Sequence, residues 1–445
     1  MSSRLPFPVV LLAAVCVTSP APAAEAPVAP LVTLARRADL RVLESRHLAL
    51  ATDRPPRDGD GVSELPRVFD EACDVWCAHY GIDPATIGDW RVFGCLVVDR
   101  DRFRTAGLLP DEIPEFANGY CLRNRFWMMD QSNPAYRRHL LLHEGVHAFT
   151  ITVRNLAAPV WYTEGIAEYL ATHRLRDDGG RWRFESTPLP LRASDVEQLG
   201  RIEKIRELRT QGRAPGLSDV LATAPGRHHE VAAYASSWAA VALLARHPAH
   251  MAAFTSAERG LLDATFNDRL AAMPGWDGGR AARDFDAFTD DIDYGYDFAR
   301  SAIDWAPGRP LATARQLAVE STRGWQNSGT MLRKGDRALL AASGQVQVGC
   351  LPSDDASARG TVLESSPDGI SLRWYRGRPL GRLLAAQWVT ANAPADRPRF
   401  VILAEGARGG FTAVTDGPLY LKVNDAPGEL HDNEGRFSVE IRPAP

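Results

Sequence analysis

The stretch Arg138 to Phe149, RHLLLHEGVHAF, constrains this chain more than any other. Apolar residues flank His143, Glu144 and His147 on most sides of a helix, so the helix belongs in the interior. Side chains four apart on a helix differ by about 40° in direction, so the two imidazoles point the same way. Buried histidines and a buried carboxylate need partners, and a metal ion is the simplest one. The H-E-x-x-H spacing lets His143 and His147 grip one zinc ion and leaves Glu144 on the flank, within reach of a zinc-bound water. Pro134, after Ser132 and Asn133, opens the helix at an N1-like position. His139 lies a turn earlier on the same face. A fourth ligand would close the site, so it reads as an outer partner or a surface group. His173 reads as exposed, and His228 and His229 as loop residues.

A catalytic zinc takes three protein ligands and keeps one position open. The segment WYTEGIAEYLATH, residues 161–173, places Glu164 and Glu168 on one helical face. The turn-like Ala157-Ala158-Pro159 lets the chain double back, so the two helices can run antiparallel. H-E-x-x-H followed by W-x-x-E-G-x-A-E-Y resembles the gluzincin metallopeptidases, among them the zinc aminopeptidases related to leukotriene hydrolase. It is most similar to the bacterial peptidase MA-like proteins of exported type. The resemblance implies an α+β fold: a thermolysin-like catalytic domain, with a small sheet and a mostly helical half. It implies zinc on His143, His147 and Glu164, with Glu144 as general base and Glu168 as an outer acid that orients a ligand histidine. The implied reaction is peptide-bond hydrolysis by a zinc-activated water, with a peptide or protein as substrate. The aminopeptidases stabilise the oxyanion with a downstream tyrosine, a place that Tyr234 in YASSW would fill; read from its residues alone, Tyr234 is equally a core tyrosine. A peptide substrate pairs with an edge strand above the zinc helix, and the strand beginning at Gly119 and Tyr120 is the candidate. The aminopeptidases carry G-A-M-E-N there. This chain does not, which leans towards an endopeptidase or another amide hydrolase.

Length argues for more than one domain. Residues 1–24 read as a secretory signal peptide: one early charge at Arg4, a short apolar run, and Ala21-Pro22-Ala23. A lipoprotein signal ending at Cys16 fits less well, because Val15 is bulky where a small residue is wanted. No later run is apolar enough to span a bilayer, so the expected location is secreted or periplasmic. A net charge of −4 gives no electrostatic case for nucleic acid. The expected parts are 25–132, an N-terminal α/β portion with the edge strand; 133–304, the helical zinc-binding portion; 305–314, a linker; and 315–445, an all-β sandwich. HLALATD, RVFGCLVVD and NGYCLRNRFWMM read as strands, and ELPRVFDEACDVWCAHYG as an amphipathic helix. Cys95 and Cys121 could pair if their strands are neighbours, whereas Cys73 and Cys77 suit adjacent core positions.

The segment GPLYLKVNDAPGELHDNEGRFSVEI, residues 417–441, resembles the end of the calcium-dependent galactophilic bacterial lectins. That resemblance implies calcium on the side chains of Asp425, Asp432 and Asn433, with the carbonyls of Glu429 and Val348, and a glycan as partner. From the residues alone, N-D-x-P-G and D-N-E-G are also ordinary turn formers. The segment 350–362 matches no sugar-contacting loop. Two classes of function stay open. One is a secreted zinc metallopeptidase with an accessory carbohydrate-binding domain. The other is a non-catalytic exported binding or adhesion protein with a structural or inactive zinc centre. The intact Glu144 separates them.

Overall fold

A computed structural model describes residues 27–445 apart from 58, 179–180, 197–199, 225, 227–230, 352–360 and 391–396. The signal segment 1–24, His228, His229 and most of 350–362 lie outside the described residues. The fold mixes helix and sheet. The chain divides into two compact units: residues 1–204 with 218–245 and 252–276, and residues 277–445 with 205–217 and 246–251.

The first unit is built on a five-stranded sheet. Its strands are β1 (Arg41–Glu44), β2 (Leu48–Thr52), β3 (Val92–Val97), β4 (Gly119–Leu122) and β5 (Arg125–Met129), in the order β1-β2-β3-β5-β4. The central strands β2, β3 and β5 run parallel, and β3 is buried along its whole length. A parallel strand covered on both faces is apolar throughout rather than alternating, as VFGCLV is. One face packs on α1 (Val28–Arg37) and α3 (Arg100–Thr105) through Val32, Ala35 and Phe103. The other lies under α2 (Leu65–Tyr80) and α4 (Pro134–Val153), where Phe69, Trp76, Phe126 and Phe149 meet ring to ring. The glycine of H-E-G-V-H serves this packing. A Cβ on Gly145 would sit 2.5 Å from the Phe69 ring and 2.9 Å from Trp76.

NGYCLRNRFWMM is not one strand but two. It folds back at Arg123, whose φ is +58°, so that β4 pairs antiparallel with β5. This hairpin separates the two cysteines. Cys95 faces Trp127 across β3 and β5, Cys121 faces Phe126 across β4 and β5, and a whole strand intervenes, so the two form no disulfide. Cys73 and Cys77 sit buried in α2.

Asn133 caps α4, its side chain accepting the Tyr136 amide, with Pro134 next in line. Then follow α5 (Val160–Ala171), a hairpin of β6 (His173–Asp178) and β7 (Arg181–Ser186), α6 (Arg201–Thr210), α7 (Leu217–Leu221), α8 (Val231–Arg246), α9 (Met251–Arg259) and α10 (Phe266–Ala271). The hairpin interrupts a stretch whose sequence reads as mostly helical. Gly165 lets α5 approach α8: a Cβ there would lie 2.5 Å from the Ser237 carbonyl oxygen and 2.8 Å from Val241. Backbone cannot step aside as a side chain can. Gly165→Ala should therefore cost about 1–3 kcal/mol, read as a lower denaturant midpoint.

Beyond residues 205–217 and 246–251, the second unit runs through α11 (Gly278–Asp291) and α12 (Phe298–Ser301) and continues as strands. A five-stranded sheet takes Arg399–Glu405, Leu383–Val389, Gly417–Val423, Gln326–Leu332 and Arg309–Pro310 in that order. A second sheet centres on the long strand Asn433–Pro443. Leu383, Ala385, Leu419 and Leu421 of the first meet Leu340, Phe437, Val439 and Ile441 of the second in one shared core. Residues 305–314, expected as a linker, supply the strand Arg309–Pro310 and Trp305. The Trp305 ring packs on Trp388, Phe400 and Tyr420.

Candidate metal centre

The first unit brings His143 and His147 of α4 together with Glu164 of α5, all three almost fully buried. The two Nε2 atoms are 3.1 Å apart, and Glu164 Oε2 lies 3.5 Å from that of His143 and 3.4 Å from that of His147. A tetrahedral zinc with bonds of about 2.0–2.1 Å holds its ligand atoms about 3.3 Å apart. Those separations fit one ion, and the group can hold a metal.

Glu168 stands behind His143. Its Oε1 is 3.2 Å from His143 Nδ1 and its Oε2 is 3.3 Å from His139 Nε2. A carboxylate facing Nδ1 favours the proton there and leaves Nε2 free for a metal. His139 is buried, and it acts on Glu168 rather than pointing to solvent. Arg201 closes the network from α6, its Nε and Nη2 donating to the two oxygens of Glu168 at 2.9 and 2.8 Å. Burial alone would push Glu168 up, but Arg201 and His139 hold it well below the usual carboxylate range. Sequence reading missed Arg201. It follows Glu168 at long range in the strongly polar RIEKIRELRT, and nothing local marks it.

Glu144 is fully buried, and neither carboxylate oxygen has a hydrogen-bond partner among the described residues. Burial pushes its pKa up to about 8, with Glu164 and Glu168 nearby adding to the shift and His143 opposing it. Gly119 starts β4, the outer strand of the sheet, and lies against it. A Cβ on Gly119 would fall 2.1 Å from Glu144 Oε1. Tyr120 turns the other way, its ring among Phe116 and Trp127 in the core beneath the sheet, so its side chain does not reach the metal group. Tyr234 of α8 is fully buried, its ring centroid 6.0 Å from that of His143, with the Arg201 guanidinium 5.8 Å over its face.

His173 is not exposed. It is 5 % accessible, stacks on Phe184, donates from Nδ1 to the Ala171 carbonyl at 2.8 Å and accepts Arg138 Nε at 3.3 Å. Burial lowers its pKa from 6.5 to about 3. The unfolded chain thus binds this proton more tightly than the folded one. The stability tied to a neutral His173 is complete above pH 6.5 and is lost as pH falls towards 3. Replacement by asparagine should make unfolding less acid-sensitive by about 2 kcal/mol between pH 8 and pH 5, measured by urea titration.

In the second unit Asp425 and Asn433 meet directly. Asn433 Nδ2 donates to Asp425 Oδ2 at 2.9 Å and to the Ser321 carbonyl at 3.0 Å. Asp425 Oδ1 accepts the Ala426 amide, and burial lifts this carboxyl to about 6. Asn433 Oδ1 is buried without a hydrogen-bond partner among the described residues. Asp432 is exposed, its Oδ2 beside Gly349. Val348 pairs with Asn433 in the strand register. A further buried group, His247, His250 and Asp284, also has metal-ligating composition. Its Asp284 is already engaged, Oδ2 by His250 at 2.8 Å and Oδ1 by Trp305 at 2.7 Å.

The sequence matches no known family profile and no curated protein. Among solved structures, the chain is similar to an aminopeptidase N family protein from Idiomarina loihiensis, with 11% identity, a TM-score of 0.34, and 90% of this chain and 69% of that one covered. It is also similar to the EclA N-terminal domain, described as a PllA-like lectin, with 20% identity, a TM-score of 0.20, and 29% of this chain and 95% of that one covered. Among the described residues no helix is long and apolar enough to cross a membrane.

Proposed function

We propose that the chain is an exported zinc-dependent metallopeptidase of gluzincin type. His143, His147 and Glu164 would be the zinc ligands and Glu144 the general base. The reading rests on one observation: three buried donor atoms 3.1 to 3.5 Å apart, beside a buried carboxylate that bonds to nothing else described. Bound there, zinc would polarise the scissile carbonyl and acidify a water. Glu144, with its raised affinity for a proton, accepts one from the attacking water and delivers it to the leaving amine. Glu168, clamped by Arg201, keeps the His143 ring in register. Gly119, at the open edge of the sheet, lets a substrate backbone come close to Glu144. Tyr234 is the proposed donor to the developing oxyanion. The β-sandwich would be an accessory glycan-binding part, with calcium on Asp425, Asp432 and Asn433. The proposed parts are a signal peptide at 1–24, then 25–132, 133–304 and 315–445, with 305–314 serving the β part rather than acting as a linker.

Metal analysis and a peptide-library digest test this. One zinc per chain is expected, together with cleavage that 1,10-phenanthroline stops and added zinc restores. Zinc without any cleavage would favour a non-catalytic exported binding protein. A chain without zinc would end the metal reading.

A further inference from the structure

A cavity of about 850 Å³ lies within the second unit, and five arginines line it: Arg206, Arg209, Arg376, Arg397 and Arg399. Guanidinium groups gathered this closely repel one another unless carboxylates offset them. Most are offset. Arg206 pairs with Asp293, Arg209 Nη2 with Asp290 at 2.8 Å, and Arg397 Nη2 with Asp286 at 2.5 Å. Arg376 lies 3.3 Å from Asp291, which Lys422 shares at 2.7 Å. Six cations therefore meet four carboxylates among the described residues, and two positive charges stand over.

The surplus has an address. Arg399 is exposed at the cavity and has no ion pair among the described residues. The Arg209 side chain is only 10% accessible, and its buried Nη1 makes no hydrogen bond among the described residues; the Asp286 carboxylate is 3.7 Å away. A buried guanidinium nitrogen without a hydrogen-bond acceptor is costly, and the side chain that carries it is one of those lining the cavity. Guanidinium groups present paired N–H donors that match the oxygens of carboxylate, phosphate and sulfate.

We propose that this cavity binds a ligand bearing an oxyanion group, held by the guanidinium groups of Arg209 and Arg399 that line it, while the four ion pairs fix the walls. The volume is that of a small-molecule site rather than of a bare ion. The anionic group therefore belongs to a larger body, either an acidic saccharide or a small organic phosphate. The site shares no residue with the metal centre, so it stands whether or not the chain is a peptidase.

Isothermal titration of the full-length protein tests the proposal with four probes: a sulfated disaccharide, a uronate disaccharide, glycerol phosphate and neutral lactose. At least one anionic probe should bind with one-site stoichiometry, more weakly at high salt, and lactose should not compete for that site. Arg399→Ala should weaken the binding at least 10-fold without affecting the fold, since it breaks no ion pair. Arg209→Lys keeps the charge but loses the fork, and should weaken it as well. The sulfated or uronate probe binding best identifies an acidic glycan, and glycerol phosphate a phosphate ester. No saturable binding of any anionic probe at 10 mM, or an affinity unchanged in both variants, would overturn the site.

Discussion

Glu144→Gln will leave the zinc in place and cut peptide hydrolysis by about 10²–10⁴-fold, the range by which a positioned general base contributes. Glutamine keeps the shape of the side chain and removes its capacity to hold a proton. The same substitution carries a second signature that does not depend on turnover. In the metal-free protein Glu144 is buried, unpaired among the described residues and pushed up to about 8 from the ordinary 4.5. A carboxyl with a raised folded pKa weakens the fold as pH climbs from 4.5 to about 8, and no further above it. At pH 7 the cost is about 3 kcal/mol, and the glutamine variant escapes it. Denaturation of both metal-free proteins from pH 5 to 9 should show the variant gaining steadily, then levelling off. Parallel curves would mean that Glu144 has a partner and is no free base.

Glu164→Ala should abolish zinc binding and, with it, a large thermal effect. An ion held by the folded state alone stabilises it by RT ln(1 + [L]/Kd), about 4 kcal/mol at a thousandfold excess over Kd. Zinc should therefore raise the melting temperature of the wild-type protein by roughly 10 °C. The alanine variant keeps both imidazoles but loses the carboxylate at 3.4–3.5 Å from them. At the same zinc concentration its melting temperature should stay put, and emission spectrometry should find no stoichiometric metal. An equal shift in both proteins would place the ion elsewhere, with His247 and His250 the first residues to examine.

The metal group is legible in the sequence because a helix converts a spacing of four into a shared face. His143 with His147, and Glu164 with Glu168, share a face by spacing alone, while the choice of Glu164 over Glu168 as the third ligand came from the resemblance to the gluzincins. Arg201 had no such marker, because its partnership with Glu168 exists only after distant segments fold together. Tyr120 and His173 show a different limit. Which way a strand residue points depends on what covers each face, and a polar type such as His173 can be buried when a carbonyl and a neighbouring cation satisfy both ring nitrogens. Cys95 and Cys121 were separated by a two-residue fold-back at Arg123 and Asn124, too slight a feature to read through apolar neighbours. The all-strand character of the C-terminal part was legible in short runs broken by Gly, Asp and Pro, although strands such as Leu383–Val389 are buried without alternation.

Arg201 grips Glu168 with both arms of its fork, and Glu168 in turn faces the ring of His143. The imidazole is thus aimed by the protein's own charges, with no ion required as a template. A ring braced in this way holds its heading before anything settles beside it.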